Sequence, residues 1–234
     1  YPWRLGRRGL DQALQASRQR LQGHLRRVQL HWSTARYAPW QEVQLLDGLA
    51  DRVLDGSVAE VGVSNIGPKR LAWMHERLAQ RGVPLRSVQV QYSLLSPGDA
   101  KADALRQLCH ERGVEVLAYS PLAFGVLTLS PEAERRPGTF LRRQLFNRLM
   151  PASRNLRTVV AAIAATRNVS MAQVALNWCR ARGTKPIPGL RTPEQARDVA
   201  GALRWSLRPE EIEQLTEARG QCAVRTPSNP FQSA

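Results

Sequence analysis

The strongest constraint on this chain is a short β-branched run that recurs at a fixed interval. Ser57–Gly67 reads SVAEVGVSNIG, Arg81–Leu94 reads RGVPLRSVQVQYSL and Arg112–Leu122 reads RGVEVLAYSPL. Val61, Val88 and Glu115 stand 27 residues apart, the length of one strand–helix unit. Between the runs lie amphipathic stretches. Pro68–Gln80 opens on a first-turn proline and carries Leu71, Met74, His75 and Leu78 at helical spacing, and Asp99–Glu111 repeats the pattern with Leu105, Leu108 and Cys109. Arg81-Gly82 and Arg112-Gly113 put glycine where a left-handed helix C-cap is needed, and Arg182-Gly183 does so again before Thr184–Ile187.

The same reading predicts a helix over Leu10–Leu21, a short strand over Arg27–Leu30 ending at His31-Trp32, and apolar helices over Val159–Thr166 and Ser170–Arg182. The second of these helices carries Val174, Ala175, Trp178 and Cys179 on one side. Thr192-Pro193-Glu194-Gln195 is a capping box, and Pro209-Glu210-Glu211 starts a last helix with acids at its positive end. Strands alternating with helices imply a parallel sheet with right-handed crossovers. No Gly-rich GxGxxG turn marks an open dinucleotide-binding sheet, so the expected class is α/β, a TIM-type (β/α)8 barrel. In barrels chemistry gathers at the strands' carboxyl ends. Here those ends are His31-Trp32, Ser64-Asn65, Gln89–Tyr92, Tyr119–Leu122 and Pro188–Arg191.

Composition narrows the function classes. The 234 residues include 34 Lys+Arg against 19 Asp+Glu, a formal charge of +15, and all the basic residues except Lys69, Lys101 and Lys185 are Arg. Such a surface attracts polyanions. The arginines are nevertheless scattered from Arg4 to Arg225, with no aromatic interleaving and no zinc-finger spacing, so a general basic face is favoured over a nucleic-acid groove. No apolar stretch reaches membrane-helix length. Cys109, Cys179 and Cys222 are odd in number and far apart, which reads as free thiols with no metal site.

Taken in order, HW, GVSN, VQVQYSLL, AYSPLAFGVLT and PIPGLRTPEQA resemble the aldo-keto reductase family over essentially the whole chain, and most of all its bacterial, cyanobacterial and plastid-type members, which share the opening Pro2-Trp3-Arg4. The resemblance implies a barrel that binds NADP(H) in extended form and reduces a small-molecule aldehyde or ketone. It makes His31 the histidine that orients the substrate carbonyl, and Trp32 a wall of the substrate pocket. Ser64, Asn65 and Gln89 become holders of the nicotinamide amide, and Tyr119 the ring stacked on the nicotinamide. Ser120, Pro121, Leu122 and Gly125 become the loop along the pyrophosphate. Pro188, Gly189, Arg191, Gln195 and Asp198 become the clamp on the adenosine 2′-phosphate and adenine. The residues alone leave plainer roles open: a structural histidine, a core tryptophan, a Ser-Asn turn, a solvated arginine beside a helix cap. The Pro-Gly, Arg and capped helix at 188–195 are the most legible on physical grounds, since free N–H groups and a cation make an anion site.

The family's catalytic Asp, Tyr and Lys precede the strand that ends in its histidine. Before His31 this chain has Tyr1 and Asp11, and its first lysine is Lys69. The expectation is therefore a partial barrel over 1–220, lacking about three strand–helix units and the proton donor, followed by a tail over 221–234 that would lie over the substrate mouth. Leu129-Ser130 replaces the Gly-Lys frequent in the family's cofactor loop, and Val199 stands where an Asn often follows the acidic adenine contact. The alternative within the family is a non-catalytic NADPH-binding or partner-binding barrel. No nucleic-acid or membrane partner is expected, and the expected location is the cytoplasm or the plastid stroma.

Overall fold

A computed structural model describes residues 6–35, 37–98, 100–133 and 138–229. Five strands hydrogen-bond in chain order: β1 (Arg27–Leu30), β2 (Glu60–Ser64), β3 (Leu85–Gln91), β4 (Glu115–Tyr119) and β5 (Thr184–Ile187). β1 pairs with β2 and β2 with β3 in parallel. The β2–β3 register skips Arg86, and this irregularity lets Leu85 and Val88, three residues apart, both enter the core.

Helices fill the intervals: α1 (Gly6–Arg20), α2 (Pro39–Leu54), α3 (Pro68–Ala79), α4 (Ala100–Glu111), α5 (Phe140–Ala152), α6 (Arg154–Arg167), α7 (Met171–Ala181), α8 (Pro193–Gly201) and α9 (Pro209–Gln221), with a 3-10 stretch at Ala123–Thr128. Gly82, Gly113 and Gly183 take φ of +71°, +65° and +76°, the left-handed turn that the Arg-Gly pairs signal. Two helices have no counterpart in the sequence reading. α2 starts after Ala38 and α5 after Thr139, and neither cap makes a side-chain hydrogen bond, so α2 carries only Pro39 and Glu42 as start signals and α5 carries none. α5 also exposes Phe140 and Leu141 and contains Pro151, which blurs its apolar face.

The chain forms two compact units, each with its own apolar cluster. Among the described residues the first comprises 6–35, 37–90, 100–116 and 229; the second comprises 91–98, 117–133 and 138–228. In the first, Val61, Val63, Val88 and Val116 from the strands meet Leu46, Leu49, Leu71, Met74, Leu78 and Leu105 from the helices. In the second, Phe146, Leu149, Leu156, Val160, Val174, Trp178 and Leu215 pack around Leu94, Leu95 and Ala118.

The other face of the first unit's strands is polar along its length. Near the strand starts, Arg27 binds Glu60 at 2.7 Å and Glu115 at 2.8 Å, and the guanidinium lowers the Glu60 carboxyl below its usual range. In the middle, Gln29 donates to Ser87 Oγ at 3.1 Å and accepts from Gln89 at 2.9 Å. Gly62 sits beneath this pair, where a Cβ would collide with Ser87 and Gln29. A sheet covered by helices on both faces would alternate far less; here the period-2 pattern divides an apolar helix-facing side from a polar one.

Cys109, Cys179 and Cys222 are free and buried, and burial pushes the Cys109 and Cys179 thiols up to about 12. Among the described residues no three His, Cys, Asp or Glu side chains group as a metal site. No single described helix is long and apolar enough to cross a membrane.

Candidate functional site

In the first unit, β1 and β2 deliver their last residues to one polar cluster. Asn65 follows β2 in the left-handed region at φ +57°, which asparagine tolerates better than other residues with a Cβ. Its backbone N–H donates to Gln89 O at 2.9 Å, and its side-chain amide donates to His31 O at 3.0 Å and to Ser64 Oγ at 3.1 Å. Ser64 Oγ donates to Gln89 O at 2.9 Å. The Asn65 side-chain carbonyl accepts from Asn229 Nδ2 at 2.9 Å. Residues 230–234 of the tail lie outside the described residues, as does Pro2-Trp3-Arg4.

His31 is the first residue beyond β1. Its ring centroid lies 4.3 Å from that of Trp32, the planes tilted by 39°. Burial lowers the imidazole pKa below its ordinary value, which favours the neutral ring. Both rings line a cleft of about 380 Å3 with Thr34, Tyr37 and Gln41, over an apolar floor that includes Leu30, Leu45 and Leu49.

The turn beyond Trp32 is held from below by a carboxylate. Glu42, on the first turn of α2, is fully buried; it accepts the Thr34 backbone N–H at 3.1 Å and pairs with Arg70. Arg70 in turn stacks 4.1 Å over the Trp73 ring. Thr34 Oγ1 donates to Ala38 O at 3.0 Å and closes the turn. The sequence reading missed this support, because an acidic residue in a first helical turn signals a helix start and nothing more.

The second unit holds a larger cleft, of about 900 Å3. It collects Ser120, Pro121, Leu122 and Gly125 from the loop after β4, and Gly189, Arg191, Gln195 and Asp198 from the loop and helix after β5. The loop backbone is unusual: Ser120, Ala123, Phe124 and Gly125 all take positive φ, at +52°, +48°, +59° and +95°. Such strain in residues that carry a Cβ persists only when the surroundings hold it. Arg142 donates to Phe124 O at 2.8 Å and Thr128 Oγ1 to Gly125 O at 2.9 Å. Buried Arg157 donates to the carbonyls of Leu129 and Ser130 just downstream. Phe124 and Thr128, within the AYSPLAFGVLT run, and Arg142 also line the cleft, though the sequence singled none of them out as site residues.

α8 opens as its capping sequence implies, with a shift of one residue. Thr192 Oγ1 accepts the Gln195 N–H at 3.3 Å, while the Gln195 side chain accepts from Arg191 N at 2.9 Å instead of from the cap residue. Among the described residues no ion pair or hydrogen bond engages the Arg191 guanidinium, which lies exposed at a helix N-terminus. Asp198 differs: it accepts from Ser170 Oγ at 2.8 Å and from Gln173 Nε2 at 2.9 Å, tying α8 to α7. Pro188 lines a separate cavity of about 810 Å3 with Ala196 and Leu203, and Tyr119 is half-buried and lines neither.

Comparison with known proteins gives these clefts a family. The chain is 43% identical to the chloroplastic pyridoxal reductase of Arabidopsis thaliana over 234 residues, which is all of this chain and 64% of that protein. It is 32% identical to the L-glyceraldehyde 3-phosphate reductase of Escherichia coli O157:H7, over 72% of this chain and 51% of the relative. The chain thus spans about half to two thirds of the length of these relatives. Among solved structures, the thermostable aldo-keto reductase Tm1743, in complex with the inhibitor epalrestat, aligns over 93% of this chain and 68% of its own, with a TM-score of 0.70 at 23% identity. Gox0644, solved in its apo form, aligns over 100% of this chain and 72% of its own, with a TM-score of 0.72 at 16% identity. The likeness to these structures is one of fold, the TIM-type α/β barrel class. With the family's sequence model matching residues 3–219, the chain belongs to the aldo/keto reductase family.

Proposed function

We propose that the protein reduces an aldehyde or ketone to the alcohol with NADPH as the hydride source. The observation that carries this reading is the second unit's cleft, where a strained loop backbone and the N-terminus of a capped helix surround space for an extended, anionic molecule. The positive end of the α8 dipole and an unpaired arginine both favour negative charge there. The arginine selects NADPH over NADH, because its charge contributes only when a phosphate is present to meet it.

In this reading Ser120, Pro121, Leu122 and Gly125 hold the pyrophosphate, Arg191 and Gln195 the 2′-phosphate end, and Ser64, Asn65 and Gln89 the nicotinamide amide. Tyr119 stacks on the ring. Asp198 contacts the adenine: its bonds from Ser170 and Gln173 fix α8 and leave acceptor capacity on both oxygens. NADPH, when bound, would supply the hydride to the carbonyl carbon, and the proton that completes the alcohol would come from the family's catalytic tyrosine, which none of these residues replaces. His31 orients the carbonyl: as a neutral ring it donates a hydrogen bond without bringing a full charge. Trp32 walls the pocket beside it. The relatives' names support an aldehyde substrate, with pyridoxal as the first candidate, and the plant relative's chloroplastic location supports the plastid option.

The test uses the protein at its natural length. Titration followed by nucleotide fluorescence is expected to show NADPH binding at least tenfold tighter than NADH, and pyridoxal is expected to drive NADPH oxidation. Equal affinities for the two nucleotides would remove the role of Arg191. Tight NADPH binding with no oxidation by any aldehyde would select the non-catalytic binder instead.

A further inference from the structure

The aromatic pair at the end of β1 has a third member. Trp32 Nε1 donates to Tyr37 Oη at 2.7 Å, so the indole N–H is spent within the protein and is not offered to a ligand. Tyr37 receives that bond as an acceptor. A phenol retains its own O–H as a donor, and among the described residues nothing accepts it. The Tyr37 side chain is 52% exposed and lines the same cleft as His31.

Tyr37 is also fixed in position. Its backbone N–H donates to Thr34 O at 3.1 Å, within the turn that Glu42 and Arg70 hold from beneath. A free donor on an exposed side chain would ordinarily swing among rotamers. Here both ends of the side chain are anchored, the backbone by the turn and the hydroxyl by Trp32. A cleft of about 380 Å3 with tilted aromatic walls and an aliphatic floor suits a single planar ring.

We propose that Tyr37 is a specificity-determining residue whose O–H donates to an oxygen substituent on the ring of an aromatic aldehyde, with Trp32 holding the phenol in place. This rests on the reductase reading above and names its substrate class: planar aromatic aldehydes carrying a hydroxyl. The physical reason is an asymmetry. A site with an oriented donor gains little from an apolar substituent, and it loses the hydrogen bond when a methyl replaces the hydroxyl.

The experiment compares 3-hydroxybenzaldehyde with 3-methylbenzaldehyde, which match in shape, in the full-length protein with NADPH. The reading is the ratio of their kcat/KM values. Tyr37→Phe is expected to lower the hydroxyl-over-methyl ratio about fivefold, the effect falling in KM and not in kcat. Trp32→Phe is expected to lower it less, because the phenol stays but loses its anchor. A ratio unchanged in Tyr37→Phe, with both aldehydes still turned over, overturns this inference and leaves the reductase reading standing. Turnover of neither aldehyde, nor of pyridoxal, by unmodified protein that binds NADPH overturns both. Because Tyr37 is half exposed and the change removes one oxygen, the variant's thermal melt is expected to match the parent's, which separates loss of fold from loss of contact.

Discussion

The polar strand ends of the first unit and the cleft of the second are built on opposite plans. Around Asn65, every side-chain group has a partner inside the protein: His31 O, Ser64 Oγ, Gln89 O and the Asn229 amide. At the start of α8 the Arg191 guanidinium is exposed and uncommitted among the described residues. The first arrangement is pre-organised: a ligand that takes the Asn65 carbonyl has to replace Asn229. The second is open, and a ligand's charge meets an arginine with nothing to displace.

The largest effect that would sharpen this contrast lies under the first unit's loop. Glu42→Ala leaves Arg70 without its buried partner and the Thr34 N–H without an acceptor, with an expected cost of about 3–5 kcal/mol. A thermal or denaturant melt measures it. A loss under about 1 kcal/mol would mean that the turn beneath Tyr37 does not depend on this carboxylate.

The next effect belongs to the second unit's own committed carboxylate. Arg167 and Arg208 bond Glu211 and hold its carboxyl down at about 2, from an ordinary 4.5. A lowered carboxyl pKa stabilises the fold above the unfolded-state value, and that stabilisation drains away as pH falls from about 5 toward 2. The contribution is about 2–3 kcal/mol at neutral pH. Glu211→Gln is therefore expected to lower the melting temperature at pH 7 and to narrow its difference from the parent near pH 3. An equal deficit at both pH values would assign the loss to packing.

Arg191→Ala is the smallest perturbation of the fold, and it speaks most directly to the contrast. As an exposed arginine without a partner among the described residues, it is expected to change stability by less than about 0.5 kcal/mol. NADPH affinity is expected to fall about tenfold or more, equivalent to about 1.4 kcal/mol, with NADH affinity nearly unchanged. A parallel loss for both nucleotides would show that Arg191 acts on the loop's shape and not on the phosphate.

Much of this was legible in sequence, and the exceptions have physical causes. β1 and β5 span the residues read as strands, Arg27–Leu30 and Thr184–Ile187, because short β-branched or alternating runs bounded by glycine and turn residues signal themselves. The Arg-Gly caps were equally plain. α2 and α5 were not, since neither begins with a side-chain cap. Arg191 and Gln195 stood out through their helix cap. Tyr37, Glu42 and Arg142 did not, because their roles come from partners outside any short motif: an indole five residues back, an arginine on the next helix, a loop carbonyl 18 residues upstream.

By itself the amino-acid order determined the strand–helix alternation, the left-handed glycine turns and the chemistry waiting at the strand tips, for all of these are local consequences of backbone sterics and side-chain type. Tertiary structure alone decided which of those tips are satisfied and which are free. Whether a group is engaged or available depends on what the fold brings within about 3 Å of it: Trp32 gives its N–H to Tyr37, Asp198 accepts from Ser170 and Gln173, and the Arg191 guanidinium stays exposed with no partner among the described residues.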